Sequence, residues 1–185
     1  MAKRKSSFDK RIVVSGVLVA FSFIVLYIGQ FLGDLDLTVS AITSLFVVLI
    51  VIEMGYKYAW MTYFATAILS LMLLPMPKTA GWFFTLFMGY YPIIKSYIER
   101  MRSKVARWIV KLLVGNAAVF AIYLLLKFLE DMGYIPKDIM PDWLMILTYV
   151  LGVLAFVLYD IALTKLITLY FLVIRDRVKI YKFLK

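Results

Sequence analysis

Apolar residues run through this chain in long blocks, and polar residues collect in the gaps between them. The cleanest block, 12–33, reads "IVVSGVLVAFSFIVLYIGQFLG" and is followed by the turn "GDLDL". Further blocks cover 37–52, 58–74, 80–94 and 109–129, and a sixth starts near Trp143 and stays mostly apolar to Ile174, with its span expected over about 143–165. "PMPKTAG" closes the third block with two prolines and a glycine, which stop a helix. A bilayer crossing takes roughly 20 apolar residues, with about 17 as the lower bound. The pattern therefore predicts an all-α polytopic membrane protein, a bundle of six transmembrane helices in a single domain over 1–185. Spans two to four are short, so they tilt little or thin the bilayer locally.

A different period appears between spans four and five. Ile94, Ile98, Met101, Val105, Trp108 and Leu112 recur every three or four residues, with Lys95, Arg100, Arg102, Lys104 and Arg107 mostly off that stripe. This predicts a basic amphipathic helix over about 94–108, lying in the membrane interface. Before it, Tyr90 and Tyr91 suit the headgroup layer, and Pro92 is expected to disrupt the helix. Arg100, Arg102 and Lys104 are candidate contacts for a cytoplasmic partner.

Composition agrees with the blocks: 64% of the 185 residues are hydrophobic, and the mean hydropathy is +0.93. Soluble domains run near half apolar. The net charge of +10 could suggest nucleic acid, but its placement is topological. Sixteen of the 21 basic residues fall in 1–11, at Lys57, in 95–107 and in 175–185; three, Lys78, Lys127 and Lys137, fall in the alternate loops. Six acids, Asp34, Asp36, Glu130, Asp131, Asp138 and Asp142, share those alternate loops. Basic residues hold loops on the cytoplasmic side, so both termini are expected inside the cell membrane, with no nucleic-acid partner. The basic start "MAKRKSSFDKR" precedes an apolar run too long for a signal peptide, and we read it as a retained first span.

The chain has no Cys and no His. Thiolate chemistry, Ser-His-Asp hydrolysis and histidine-held zinc or haem are excluded, and neither a cofactor, a metal nor an enzymatic activity is expected. Asp160 and Lys165 lie in the sixth block, Lys111 and Asn116 in the fifth. Ionisable groups inside spans are expensive. Asp160 is expected near the inner boundary, where Lys111 and Lys165 can pair with it; a structural pair and a coupled ion site both fit. On the outward side, Tyr27, Gln30, Asp34, Trp82, Thr85, Tyr123, Lys127 and Tyr149 combine rings with hydrogen-bonding groups. That mixture suits a small-molecule pocket, and it also suits an aromatic belt. Gly16 and Ala20 form a small-xxx-small pair that lets another helix approach.

Six short spans, both ends inside, the Gly16/Ala20 pair and the passage "EMGYKYAWMTYFATAILSLML" together resemble a substrate-binding S component of energy-coupling factor (ECF) vitamin transporters. The family's helix-one pair is Ala-xxx-Ala, with Gly16 here in place of the first alanine. The resemblance implies capture of a vitamin-like solute from outside, with a transmembrane coupling subunit and cytoplasmic ATPases as partners besides the lipid bilayer. It puts Gly16 and Ala20 against the coupling subunit, and Gln30, Trp82, Lys127 and Tyr149 at the pocket. The chain has no G-x-x-x-x-G-K-[ST] loop, so ATP would be used by the partners. The alternative is a non-transporting scaffold or assembly subunit that docks a partner through 95–107.

Overall fold

The computed structural model describes residues 2–32, 35–76, 78–134 and 142–174, with side chains for 10–32, 35–76, 78–134 and 147–172. Among the described residues the secondary structure is helical throughout, with no strand. The helices are α1 (Ala2–Gly29), α2 (Asp36–Glu53), α3 (Tyr56–Leu73), α4 (Thr79–Phe83), α5 (Tyr91–Ile98), α6 (Lys104–Asp131) and α7 (Asp142–Leu169). One π-helical segment, Phe84–Met88, follows α4, and another, Tyr170–Ile174, extends α7. Four stretches are long and apolar enough to cross a membrane: Lys10–Gly29, Asp36–Glu53, Lys104–Asp131 and Leu147–Leu172. They answer to the first, second, fifth and sixth apolar blocks. α3 and the broken run from α4 to α5 do not reach that combination of length and apolarity.

Two compact units divide the chain, one made of Met1–Ile94 with Thr164–Lys185 and the other of Lys95–Leu163. In the first, α1, α2 and α3 pack pairwise, and α2 also packs on α4 and the π segment behind it. Leu26, Val47, Ile50, Tyr63, Phe84 and Ile93 belong to its core. α1 and α2 approach closely because residue 29 has no side chain: a Cβ there would lie 2.4 Å from Val39 Cγ1. Lys78 takes a left-handed φ of 55° before α4, and its Nζ donates to the Leu71 carbonyl at the end of α3. That bond satisfies one of the orphan acceptors every helix end leaves.

In the second unit, α6 starts behind Ser103, whose Oγ accepts from the Ala106 amide at 3.3 Å. It stops at Gly133, where φ is +82°. The Gly133 amide donates to Glu130 and the Tyr134 amide to Leu129, both at 3.0 Å, the paired bonds of a Schellman end that a residue without Cβ adopts at no steric cost. α6 and α7 meet where Phe156 lies against Gly115 and Val119 against Gly152. Elsewhere both helices present apolar side chains outward, Leu113, Phe120 and Leu124 on α6 and Val150, Leu154 and Leu158 on α7. A water-soluble helix would bury such a face; a lipid-facing one has no reason to.

The structure differs from the sequence reading in three places. The stripe from Ile94 to Leu112 does not run along one helix: α5 ends at Ile98, a turn covers 99–103, and α6 begins at Lys104. Pro92 does not disrupt a helix but sits in the first turn of α5, where its missing amide hydrogen has no partner to lose. The first helix extends back to Ala2 and ends at Gly29, four residues short of the apolar block. Asp34, Lys137, Asp138 and the basic stretch 175–185 lie outside the described residues.

Candidate functional site

In the first unit, small hydroxyl residues repeat at helical spacing on otherwise apolar helices. Thr62, Thr66 and Ser70 follow one another every four residues on α3, Ser40 and Ser44 do so on α2, and Ser15 and Ser22 lie seven apart on α1; all are buried. Small polar residues at such positions let helices approach closely. Most of these hydroxyls then satisfy themselves. Ser40 donates to the carbonyls of Asp36 and Ala80, Thr43 to Val39, Ser44 to Ala41 and Ser70 to Ala67. Ser15 reaches Met54 Sδ at 3.6 Å.

Others do not. Arg11 Nε, Ser22 Oγ, Thr62 Oγ1, Thr66 Oγ1, Thr85 Oγ1, Gln30 Oε1, Asp36 Oδ1 and Trp82 Nε1 are buried and make no hydrogen bond. Among the described residues, all eight belong to the first unit. Each buried polar group without a partner costs about 1–3 kcal/mol, so such a group calls for one. Asp36 is half served, because its other oxygen accepts from Thr79 Oγ1.

The π segment lies in the same unit. Its i→i+5 pattern, with the Gly89 amide donating to Phe84 at 2.7 Å, widens the turn, and such turns recur at functional positions. The Thr85 carbonyl accepts from Tyr63 Oη at 2.8 Å. Tyr63 itself stands edge-on to Tyr90, with ring centroids 6.1 Å apart and planes at 80°. α3 thus holds the π turn from the side while the Thr85 hydroxyl remains unbonded.

The second unit handles its polar groups in the opposite way. Asp160 on α7 is 4% exposed and Lys95 on α5 is 1% exposed. Lys95 Nζ donates to Asp160 Oδ1 and, at 3.0 Å, to the Asp160 carbonyl. Lys111 on α6 donates to Asp160 Oδ2 at 2.9 Å. Glu99, more open, stands 3.2 Å from Lys95 and 3.5 Å from Lys111. Two ammoniums and two carboxylates therefore close a neutral network. Burial pushes the Lys95 ammonium below the ordinary lysine range, with Asp160 and then Glu99 pulling the other way. The Lys111 pairing agrees with the sequence reading. Lys165 does not join the network: it is exposed, and no ion pair reaches it among the described residues. Lys95 takes the place the sequence reading gave it. Asn116 is likewise served within this unit, donating to Leu112 and accepting from Tyr149 Oη.

The sequence-predicted pocket residues thus separate. Gln30, Trp82 and Thr85 fall in the first unit, each with one side-chain polar atom buried and unbonded. Tyr27 is in that unit but exposed, its ring edge-on to Phe31 at 5.3 Å. Tyr123, Lys127 and Tyr149 belong to the second unit, with Lys127 exposed and Tyr149 bonded to Asn116. Gly16 and Ala20 are exposed on α1, and nothing lies within 4 Å of where a Gly16 Cβ would stand. Arg100, Arg102 and Lys104 are exposed on the turn before α6 and at its start. Sequence reasoning missed Ser22, Asp36, Thr62 and Thr66. The signal was present for the threonines, whose spacing of four on an apolar helix marks one face. Among the described residues no group of His, Cys, Asp and Glu could hold a metal ion.

No protein-family model matches the chain, and neither a curated protein nor a solved structure does.

Proposed function

We propose that this chain is a multi-pass protein of the cell membrane that captures a small polar solute among the helices of its first unit. It acts as the substrate-binding subunit of an uptake system energised by separate ATPase partners. One observation carries the reading. Gln30, Trp82 and Thr85, singled out from sequence as pocket residues, each leave a buried polar atom unbonded, alongside five further unbonded atoms in the same unit. A packed structural core closes such bonds internally, as Ser40, Thr43, Ser44 and Ser70 do here. A site meant for a ligand leaves them for the ligand. The charge bias along the chain supports six passes with both ends inside. The open Gly16/Ala20 face of α1 supports a helix-to-helix contact with a coupling subunit, as the resemblance to ECF S components implies.

The test is native mass spectrometry of the full chain purified in mild detergent after growth in rich medium. A retained small-molecule mass that Gln30→Ala and Thr85→Val both lose supports the reading. A bare protein mass, or an adduct that both variants retain, overturns it.

A further inference from the structure

We infer that the turn between α5 and α6 is a binding surface for anionic phospholipid headgroups, with Arg102, Lys104 and Arg107 as the charge contacts and Trp108 as the anchor. The inference is independent of the solute reading and rests on α6 crossing the bilayer, for which it is long and apolar enough. The first residue of that helix is Lys104, so the turn before it stands at the bilayer boundary.

Three observations converge on this segment. First, its one acid is spent. Glu99 stands within ion-pair distance of both Lys95 and Lys111, so its charge is balanced inside the network and does not offset the basic residues that follow. Second, those basic residues face out: Arg102 and Lys104 are exposed, and Arg107 is half-buried. Third, apolar side chains share the exposed surface. Met101 is 40% exposed, Val105 69% and Trp108 51%. Apolar groups beside cations also occur in protein interfaces, but here they stand at the end of a helix long and apolar enough to cross the bilayer, where lipid is the adjoining phase. The headgroup layer accepts both kinds, the rings and aliphatic groups dipping towards the acyl chains and the cations meeting phosphate. Lys111 Nζ lies 5.8 Å from the Trp108 ring centroid and helps fix that ring, tying the anchor to the buried network.

A juxtamembrane lysine or arginine contributes about a fivefold preference for an anionic over a zwitterionic membrane. The experiment reconstitutes the full chain into nanodiscs of mixed phosphatidylcholine and phosphatidylglycerol, releases it in the mass spectrometer and counts the lipids retained. The parent protein is expected to keep phosphatidylglycerol in clear excess over the disc composition, and raising the salt during equilibration is expected to erode that excess. Neutralising Arg102, Lys104 and Arg107 together (R102Q/K104Q/R107Q) removes it, whereas Lys127→Gln, an exposed lysine towards the other end of α6, leaves most of it. Because the same arginines direct insertion, topology of the triple variant is mapped first. If it inserts wrongly, the parent's lipid ratio and its salt dependence decide alone. A parent that retains the two lipids in proportion to the disc, or whose excess ignores salt, overturns the inference. So does a soluble protein that co-purifies through this turn while no lipid preference is seen.

Discussion

Replacing Asp160 by Asn is the perturbation that bears most directly on what holds the second unit together. The substitution keeps the size and one acceptor of the side chain and removes its charge. Lys95 and Lys111 donate to opposite oxygens of that carboxylate, so two buried ammoniums then share only Glu99, which is more open to water. Removing one partner of a buried pair costs about 3–5 kcal/mol, because the remaining charge has no partner and no water. For a chain of this size that corresponds to a fall of about 10 °C in the unfolding midpoint. Lys95→Met should cost less, because Asp160 keeps Lys111 and Glu99 can turn outward. Lys111→Met should cost least of the three, since its side chain is 11% exposed against 1% for Lys95. The double variant Lys95→Met with Asp160→Leu should recover much of the Asp160→Asn loss, as an apolar replacement of an ion pair often does. Thermal unfolding in detergent, followed by tryptophan fluorescence, measures all four, with Lys165→Met as the exposed reference. Should Asp160→Asn melt within about 2 °C of the parent, or Lys165→Met lose as much, the network is not what stabilises this unit.

Thr66→Val removes a buried hydroxyl that has no partner, so it should stabilise the ligand-free protein by about 1 kcal/mol in a thermal melt while lowering retention of any co-purified solute. Tyr63→Phe deletes the bond to the Thr85 carbonyl at 2.8 Å and should cost about 1 kcal/mol in the same melt, with faster amide exchange across 84–89 as the local signature. Gly29→Ala places a methyl group 2.4 Å from Val39 and should destabilise by about 1–3 kcal/mol, a loss that Val39→Ala in the same chain relieves.

Helix identity was legible wherever apolar residues ran on without interruption. α2 and α3 begin and end within two residues of the blocks at 37–52 and 58–74, because a polar turn flanks each side. The segment after Tyr91 was misread because a period of three to four residues is indifferent to a short break: Ile98 and Val105 keep the rhythm although a turn intervenes. Ser103 was the available sign, a hydroxyl residue that caps a helix start. Gln30, Trp82 and Thr85 stood out as rings and hydrogen-bonding groups on the outward side, and the structure adds that each has a buried, unbonded polar atom. The pairing of Lys95 with Asp160 could not, because 65 residues separate them and only packing brings α5 to α7. Lys165 was paired with Asp160, alongside Lys111, on expected depth in the membrane, which says little about which face of a helix a residue occupies.

The two units respond differently to the same physical demand. Each carries polar side chains inside helices that otherwise expose apolar surface, and in such a setting an unmade hydrogen bond has no water to fall back on. The second unit closes its accounts internally: Asp160 with two lysines, Glu99 with the same two, Asn116 with Tyr149. The first unit closes some of its own, then leaves eight buried polar atoms, among the described residues, open across α1, α2, α3, α4 and the π turn. Among the described residues they lie in the unit that also holds the π turn and the Tyr63 brace, which supports the proposal that this unit binds a solute. It also makes the valine substitution at Thr66 decisive, because a purely structural hydroxyl and a ligand-facing one predict the same gain in stability but opposite outcomes for solute retention.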